Sequence, residues 1–446
     1  MFRIQSLSAL EILDSRGRPT LKTTCRLESG AAASASVPSG ASTGAAEAHE
    51  LRDADPARFR GLGCRKAAAN VSGPILSAVR GRNFDGQADV DRALVELDGT
   101  ADKSRLGANA ILSVSIAFAR AAAAQRGVPL FRHLADLAGT PCATLPRPTI
   151  NLFSGGKHAG GQAPIQDVLI VPSAARSTDE ALAAAFAVYH AAADLCAKKY
   201  SMRLLRADEG GLAPPFTRAE AMLEDAVAAI QAAGFVPGRD VHLGIDVASS
   251  QFFSNHRYHL DREELSSVQM IDRLERWSRD YPVVSIEDGL AEEDWDHWPV
   301  LTKRINDRAL VVGDDFLCTN PDRIRRAVRV KAATALLLKV NQVGSLTEAI
   351  EARHLAFGAQ WETTVSARSG ETEDDWLADL AVGLGAGQIK IGSITQSERL
   401  AKYNRLLEID ADTGFKLSRW PNQAPTSEIR SQVFSSEMGR GNPQST

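Results

Sequence analysis

Val241-His-Leu-Gly-Ile-Asp246, Val283-Val-Ser-Ile-Glu287, Ala309-Leu-Val-Val-Gly-Asp314 and Ala335-Leu-Leu-Leu-Lys339 follow one another in the second half of the chain, and each ends on a charged residue. Each run is short and rich in β-branched residues or leucine, the composition of a strand buried on both faces. Their terminal charges stand about 25 to 40 residues apart, room for one strand, one helix and two loops. That rhythm predicts a parallel (βα) barrel, whose chemistry gathers at the C-terminal ends of its strands. Asp246, Glu287, Asp314 and Lys339 would then converge on one mouth. Three carboxylates suit a hard divalent cation such as Mg²⁺. A lysine beside such a cation has its ammonium form disfavoured and can act as a base at neutral pH. A single strand-end charge is usually just solvated, but four in succession at one end of one sheet point to a site.

Outward from these runs, the barrel pattern begins at Thr149 and lasts to about residue 410, with further strands expected at 363–366 and 388–391. Residues 1–145 read differently. Strands are expected at 10–14 and 21–27, joined by the turn residues Ser15-Arg16-Gly17-Arg18-Pro19. Val37-Pro-Ser-Gly-Ala-Ser-Thr-Gly44 is too rich in glycine and hydroxyls to be other than a loop. A helix is expected over 109–126, stopped by Gly127 and Pro129. Strands followed by helices suggest an α+β capping domain. The reading therefore divides the chain into a cap (1–145), a barrel domain (146–434) and a disordered tail (435–446), with Leu145-Pro146-Arg147-Pro148 as a stiff linker.

With 446 residues, the chain has length for a large barrel and a smaller domain, and its 44% hydrophobic content is ordinary for a globular protein. A net charge of −4 offers no electrostatic argument for nucleic acid or an anionic membrane. The basic stretch from Arg323 to Arg329 reads as the solvated face of a barrel helix with Ile324 and Val328 turned inward. Cys25, Cys64, Cys142, Cys196 and Cys318 are odd in number and scattered, against both a disulfide framework and a zinc site. The N-terminus turns polar by Glu11 and Asp14, unlike a signal peptide, and no apolar run is expected to span a membrane, so a cytoplasmic location is the expectation.

Glu11-Ile-Leu-Asp-Ser-Arg-Gly17, Val37-Pro-Ser-Gly-Ala-Ser-Thr-Gly44, Leu106-Gly-Ala-Asn-Ala-Ile-Leu112, Asp208-Glu-Gly-Gly211, Ser285-Ile-Glu-Asp288, Leu337-Leu-Lys-Val-Asn-Gln342, Ser369-Gly-Glu-Thr-Glu-Asp374 and Ser397-Glu-Arg-Leu-Ala-Lys-Tyr-Asn404 together resemble enolase over nearly the whole chain. The resemblance implies a modified (βα)₈ TIM-type barrel with an N-terminal α+β cap, and a homodimer. It also implies an enzyme that removes the C2 proton of 2-phosphoglycerate with a lysine, expels the C3 hydroxyl with help from a glutamate, and uses two Mg²⁺ ions, the second bound with substrate. Lysine bases working with Mg²⁺ in this superfamily are themselves a known pattern. Position by position, the resemblance implies Asp246, Glu287 and Asp314 as ligands of the first Mg²⁺, with Ser42 joining the second. Lys339 matches the base and Glu209 the general acid. Lys390 matches a second lysine near the substrate carboxylate, Arg368 and Ser369 phosphate-binding positions, and His158 a lid histidine.

Three stretches depart from the family pattern. Enolases carry Ser-His-Arg-Ser-Gly where this chain has Ser366-Ala367-Arg368-Ser369-Gly370. They carry Gln-Glu where it has Gln166-Asp167, which withdraws a carboxylate by about 1.5 Å; misplacement on that scale can cost roughly 100-fold in rate. A Pro-Phe pair becomes Gly289-Leu290. The first two fall on the leaving-group side, while the base and metal side is kept. The pattern is that of enolase relatives such as the carboxyphosphonoenolpyruvate synthases of phosphinothricin-type antibiotic pathways, which take a phosphoglycerate-derived skeleton with a nucleotide-activated phosphonate. The expectation is an enzyme forming an enolpyruvate-type product from a phospho or phosphono acid. Its rivals are ordinary phosphopyruvate hydratase and a non-catalytic binding relative, the latter disfavoured because all three carboxylates and both lysines stand.

Overall fold

The computed structural model describes residues 1–40, 44–161, 163–201, 203 and 205–419, with only the backbone of His158. The expected tail, 435–446, lies outside the described residues. The cap opens with an antiparallel meander of Phe2–Leu13, Pro19–Leu27 and Ala32–Ser36, and the short strand Asn83–Phe84 pairs with the outer edge of the first. The first strand runs well N-terminal of the expected 10–14. Only some of its positions are buried, Ile4 and Leu7 among them, so its apolar alternation is weak. The helix Ala108–Arg126 packs against this sheet, and nearly all of its surface is buried, which explains its run of small alanines. Gly127, at φ 64°, closes it in the left-handed region that an L side chain rarely adopts.

Eight strands close the barrel: Arg147–Ser154, Asp167–Val171, His242–Asp246, Val283–Glu287, Leu310–Gly313, Ala335–Leu338, Glu362–Ser366 and Gln388–Gly392. The four runs that set the expected rhythm are the third to sixth of these, all parallel. The second strand departs from that rhythm, running antiparallel to both neighbours. It follows the first after a connection of loop and one short helical turn, and an antiparallel pair needs no crossover helix. The two helices Thr178–Tyr200 and Ala219–Ala232 then come consecutively before the third strand. Arg147 and Pro148, read as linker, belong to the first barrel strand. Thr144–Leu145 pairs with Lys416–Leu417, so the junction is tied down by the end of the barrel domain.

Thr178–Tyr200 corrects the expectation that no stretch could span a membrane, for its 23 residues are long and apolar enough by composition. Ala181, Ala185, Val188 and Ala192 on one face are fully buried, and the helix packs on the first barrel strand and its helical neighbours. In the basic helix Pro321–Val330, Ile324 and Ala327 are the buried pair, with Val328 at the margin.

Cap and barrel are joined by buried polar bonds as well as apolar packing. Asp91, in the cap helix Gln87–Asp98, accepts from the backbone N–H of Thr347 at 2.9 Å and from its hydroxyl at 2.6 Å. Thr347 lies in the first turn of the barrel helix Leu346–Gly358. Asp91→Ala removes the acceptor of that half-buried amide together with a buried carboxylate, at a cost of about 1–3 kcal/mol. Urea unfolding should show a lower midpoint with an unchanged slope; an unmoved midpoint would mean that this contact does not hold the domains together.

Candidate active site

The strand ends deliver the charges to one place. Asp246 and Glu287 are the last residues of the third and fourth strands and face each other in the ladder. Asp314 directly follows the fifth strand and Lys339 the sixth. Because the second strand runs backwards, its first residue, Asp167, lies at the same end, paired with Asp246. Lys390 comes up in the eighth. All six side chains are buried.

Lys390 bridges two acids, its Nζ lying 2.9 Å from Asp246 Oδ2 and 2.8 and 2.9 Å from the two oxygens of Glu287. Burial alone would push the Asp246 carboxyl up, but Lys390 outweighs it and holds the group below its ordinary value. Glu287 goes the other way, pushed well above the carboxylate range by burial and by its neighbour Asp246. One ammonium does not satisfy both acids. Lys339 ion-pairs with Asp314, whose other oxygen accepts the Gln342 amide at 2.9 Å. Burial works to lower the Lys339 pKa, yet Asp314 carries it above the ordinary lysine value. Among these neighbours the ammonium form is favoured, although Arg368 also works against it.

A second acid group lies alongside: one oxygen from each of Asp288, Asp314 and Asp315 falls within 4.8 Å of the others. Asp288 is committed elsewhere, because its two oxygens accept the backbone N–H groups of Asp314 and Asp315 at 2.9 Å. It fixes the turn that presents Asp314. Burial and Asp314 push Asp315 up to about 7.

Gln166 does not stand alone either, since its amide donates to Asp246 Oδ2 at 2.9 Å and its carbonyl accepts from Gln251. Asp167 Oδ1 accepts the Ser154 hydroxyl at 2.6 Å. Glu209 accepts from the Asn151 amide at 2.9 Å. Its loop is pinned where Ser393 N–H donates to the Glu209 carbonyl and Tyr189 to that of Gly210. Gly210 is required there, at φ +84° and with Thr395 Oγ1 only 2.6 Å from where a Cβ would sit. The first strand, beside Glu209, and the sixth, below Lys339, stand three places apart around the ring, so a proton acceptor and a proton donor can work from different sides of the mouth.

Arg368 follows the seventh strand and Ala367, whose N–H donates to the Lys390 carbonyl at 2.8 Å. Both terminal nitrogens of Arg368 meet Glu47, at 3.1 and 3.2 Å, and one also meets Asn341 at 2.9 Å. Ser369 Oγ accepts from Arg16 of the cap at 3.1 Å, and Arg16 is held by Asp14 and by the Ser39 carbonyl. The backbones of Ser39 and Gly370 bond reciprocally, which brings the start of the glycine-rich loop to the barrel mouth. Ser42 and the His158 side chain lie outside the described residues; the His158 backbone is in the short turn Gly156–Ala159.

Sequence reasoning did not single out Glu47, Asn151, Gln251, Gln342, Asp288 or Arg16. Asp288, Gln342 and Arg16 fall inside motifs it quoted, which was the available signal; nothing local marks Asn151 or Gln251, whose partners are distant in the chain. Residues 4–134 match the family described as the enolase N-terminal domain, and residues 142–419 match the enolase C-terminal TIM barrel domain. Matched over both of its domains, with an eight-stranded barrel under an α+β cap, the chain belongs to the enolase family.

Proposed function

We propose that this protein is a specialised enolase-family enzyme. It forms an enolpyruvate-type product from 2-phosphoglycerate or a related phospho or phosphono acid, with a nucleotide-activated phosphonate as co-substrate, in the manner of carboxyphosphonoenolpyruvate synthases. The observation that carries the reading is the asymmetry of the mouth. The charged groups are all present and paired, Lys390 with Asp246 and Glu287, and Lys339 with Asp314. Among these charged groups, residue 367 ends at Cβ beside Lys390, and the shortened Asp167, paired with Asp246, is bonded to the wall at Ser154. A protein that only bound partners would have no use for buried acids that disturb each other's ionisation.

The donor set fits the Mg²⁺ that the family generally uses. Asp246, Glu287 and Asp314 are hard oxygen donors, and burial together with the neighbouring Asp246 raises the Glu287 carboxyl, a repulsion that a cation beside them would relieve. These three residues would hold the ion, and Mg²⁺ there would supply positive charge against the negative charge that develops on the substrate carboxylate. Arg368 and Ser369 anchor the phosphoryl or phosphonyl group. Lys339, once its carboxylate partner is neutralised, takes the proton from the carbon next to the substrate carboxylate. Lys390 stays charged and keeps the acids in register, and Glu209 donates a proton on the far side. The protein is expected to work as a homodimer.

Mg²⁺ should raise the melting temperature of the unmodified protein, because an ion bound only by the folded state stabilises it by mass action. Glu287→Gln should lose most of that increase. An equal increase in both proteins would remove Glu287 from the ligand set. The function is tested by incubation with 2-phosphoglycerate and Mg²⁺, with and without a nucleotide-activated phosphonate, followed by phosphorus NMR. A new phosphonate-containing enolpyruvate signal only when both substrates are present is expected. Rapid conversion of 2-phosphoglycerate alone to phosphoenolpyruvate would make the protein a phosphopyruvate hydratase instead.

A further inference from the structure

We propose that Glu47 is an internal occupant of the anion site at Arg368, displaced by the ligand's phosphoryl or phosphonyl group when it binds. The inference rests on the reading of Arg368 as the anchor for that group. Both terminal nitrogens of Arg368 are engaged by the single carboxylate of Glu47, the fork-on-fork geometry in which guanidinium also takes phosphate. The pair is buried, with side-chain exposures of 3% and 7%. Neither charge is there by default, for Glu47 lies in the cap segment beyond the glycine-rich loop, 321 residues from its partner. The same carboxylate accepts the Gly44 N–H at 3.1 Å and the Gln342 side-chain amide at 3.4 Å, so it ties the end of that loop to the barrel mouth.

There is room for the displaced side chain. A cavity of about 310 Å³ lies next to it, lined by Gly40, Gly44, Glu47, His49, Arg52 and Asn341. Arg52 on that side is committed to Glu50, Ser39 and the carbonyls of Pro19 and Leu62, so the cavity offers the displaced carboxylate room and not a ready partner. The arrangement also selects the ligand. A second carboxylate brings Arg368 nothing that Glu47 does not already supply at high effective concentration. A doubly charged tetrahedral group brings more charge and a third oxygen. The anion's apparent affinity is therefore reduced by the fraction of molecules in which Glu47 holds the site.

The test is the sign of one affinity change. Inorganic phosphate binding to the full-length protein is measured by calorimetry for the unmodified chain and for Glu47→Gln, Glu47→Asp and Arg368→Lys. Glu47→Gln, isosteric but uncharged, should bind phosphate about tenfold more tightly, whereas Glu47→Asp, which keeps the charge, should stay near the unmodified value. A residue that merely oriented Arg368 would give the opposite sign, so weaker or unchanged binding in Glu47→Gln overturns the proposal. Equal tightening in Glu47→Asp overturns it as well, because charge would not be the cause. Arg368→Lys should lose most phosphate binding. Binding that survives this change would overturn the reading of Arg368 and the proposal together, whereas failure in the Glu47 variants alone leaves Arg368 in place.

Discussion

Lys339→Ala should abolish exchange of the substrate's α-proton with deuterated solvent, a loss of at least about 10²–10⁴-fold, while Mg²⁺ binding stays largely intact. The lysine lies directly after the sixth barrel strand, buried, with its ammonium on Asp314. In that state it is a poor base, because Asp314 holds its pKa above the ordinary value. On the proposed reading the acids have to be neutralised before Lys339 can take a proton, so chelating Mg²⁺ should suppress exchange in the unmodified protein too. The two losses differ in kind: readdition of Mg²⁺ should restore exchange in the chelated protein and do nothing for the variant. The alanine also leaves Asp314 without its ion pair, so the variant's melting temperature in Mg²⁺ has to be measured alongside. Exchange that continues in a folded Lys339→Ala protein would assign the base to another residue.

Much of this site could be read from the chain because barrel geometry turns a one-dimensional feature into a three-dimensional one. A charge at the end of a buried parallel strand is at the mouth, whichever strand it ends, so Asp246, Glu287, Asp314 and Lys339 needed only their strands to be recognised. Asp167 obeys the opposite rule. It begins its strand, and it reaches the mouth only because that strand is reversed, which no periodicity reveals. The Lys390 bridge was equally hidden, since it depends on the eighth strand lying three places from the third around a closed ring. Glu47 was harder still. Its partner is 321 residues away in the other domain, and an acidic residue after a glycine-rich loop has no pattern that separates it from a solvated one. The linker was misread for a local reason: Pro146 and Pro148 stiffen the segment, yet a proline within the first residues of a strand is compatible with a barrel strand that begins there.

Restoring the family residues on the leaving-group side, by Ala367→His with Asp167→Glu, should raise conversion of 2-phosphoglycerate to phosphoenolpyruvate by about 100-fold or more. The same change should impair formation of the phosphonate-containing product. The base side needs no repair on the proposed reading, since Lys339 and Lys390 are each already paired with the acids, so α-proton exchange should be present before and after. What the unmodified chain lacks is a group at 367 and reach at 167. Ala367 is buried and held by its N–H on the Lys390 carbonyl, so a histidine there starts from a fixed backbone position. Asp167 is fully buried with one oxygen on Ser154, and the added methylene of glutamate would move the carboxylate about 1.5 Å further from its strand. On the proposed reading, a larger group at 367 works against a larger co-substrate for the same reason that it helps expel a hydroxyl. The two activities should therefore move in opposite directions in one protein, which loss of folding cannot imitate. If the unmodified chain already turns over 2-phosphoglycerate at an ordinary enolase rate, Ala367 and Asp167 are tolerated changes in a phosphopyruvate hydratase, and the specialised function falls.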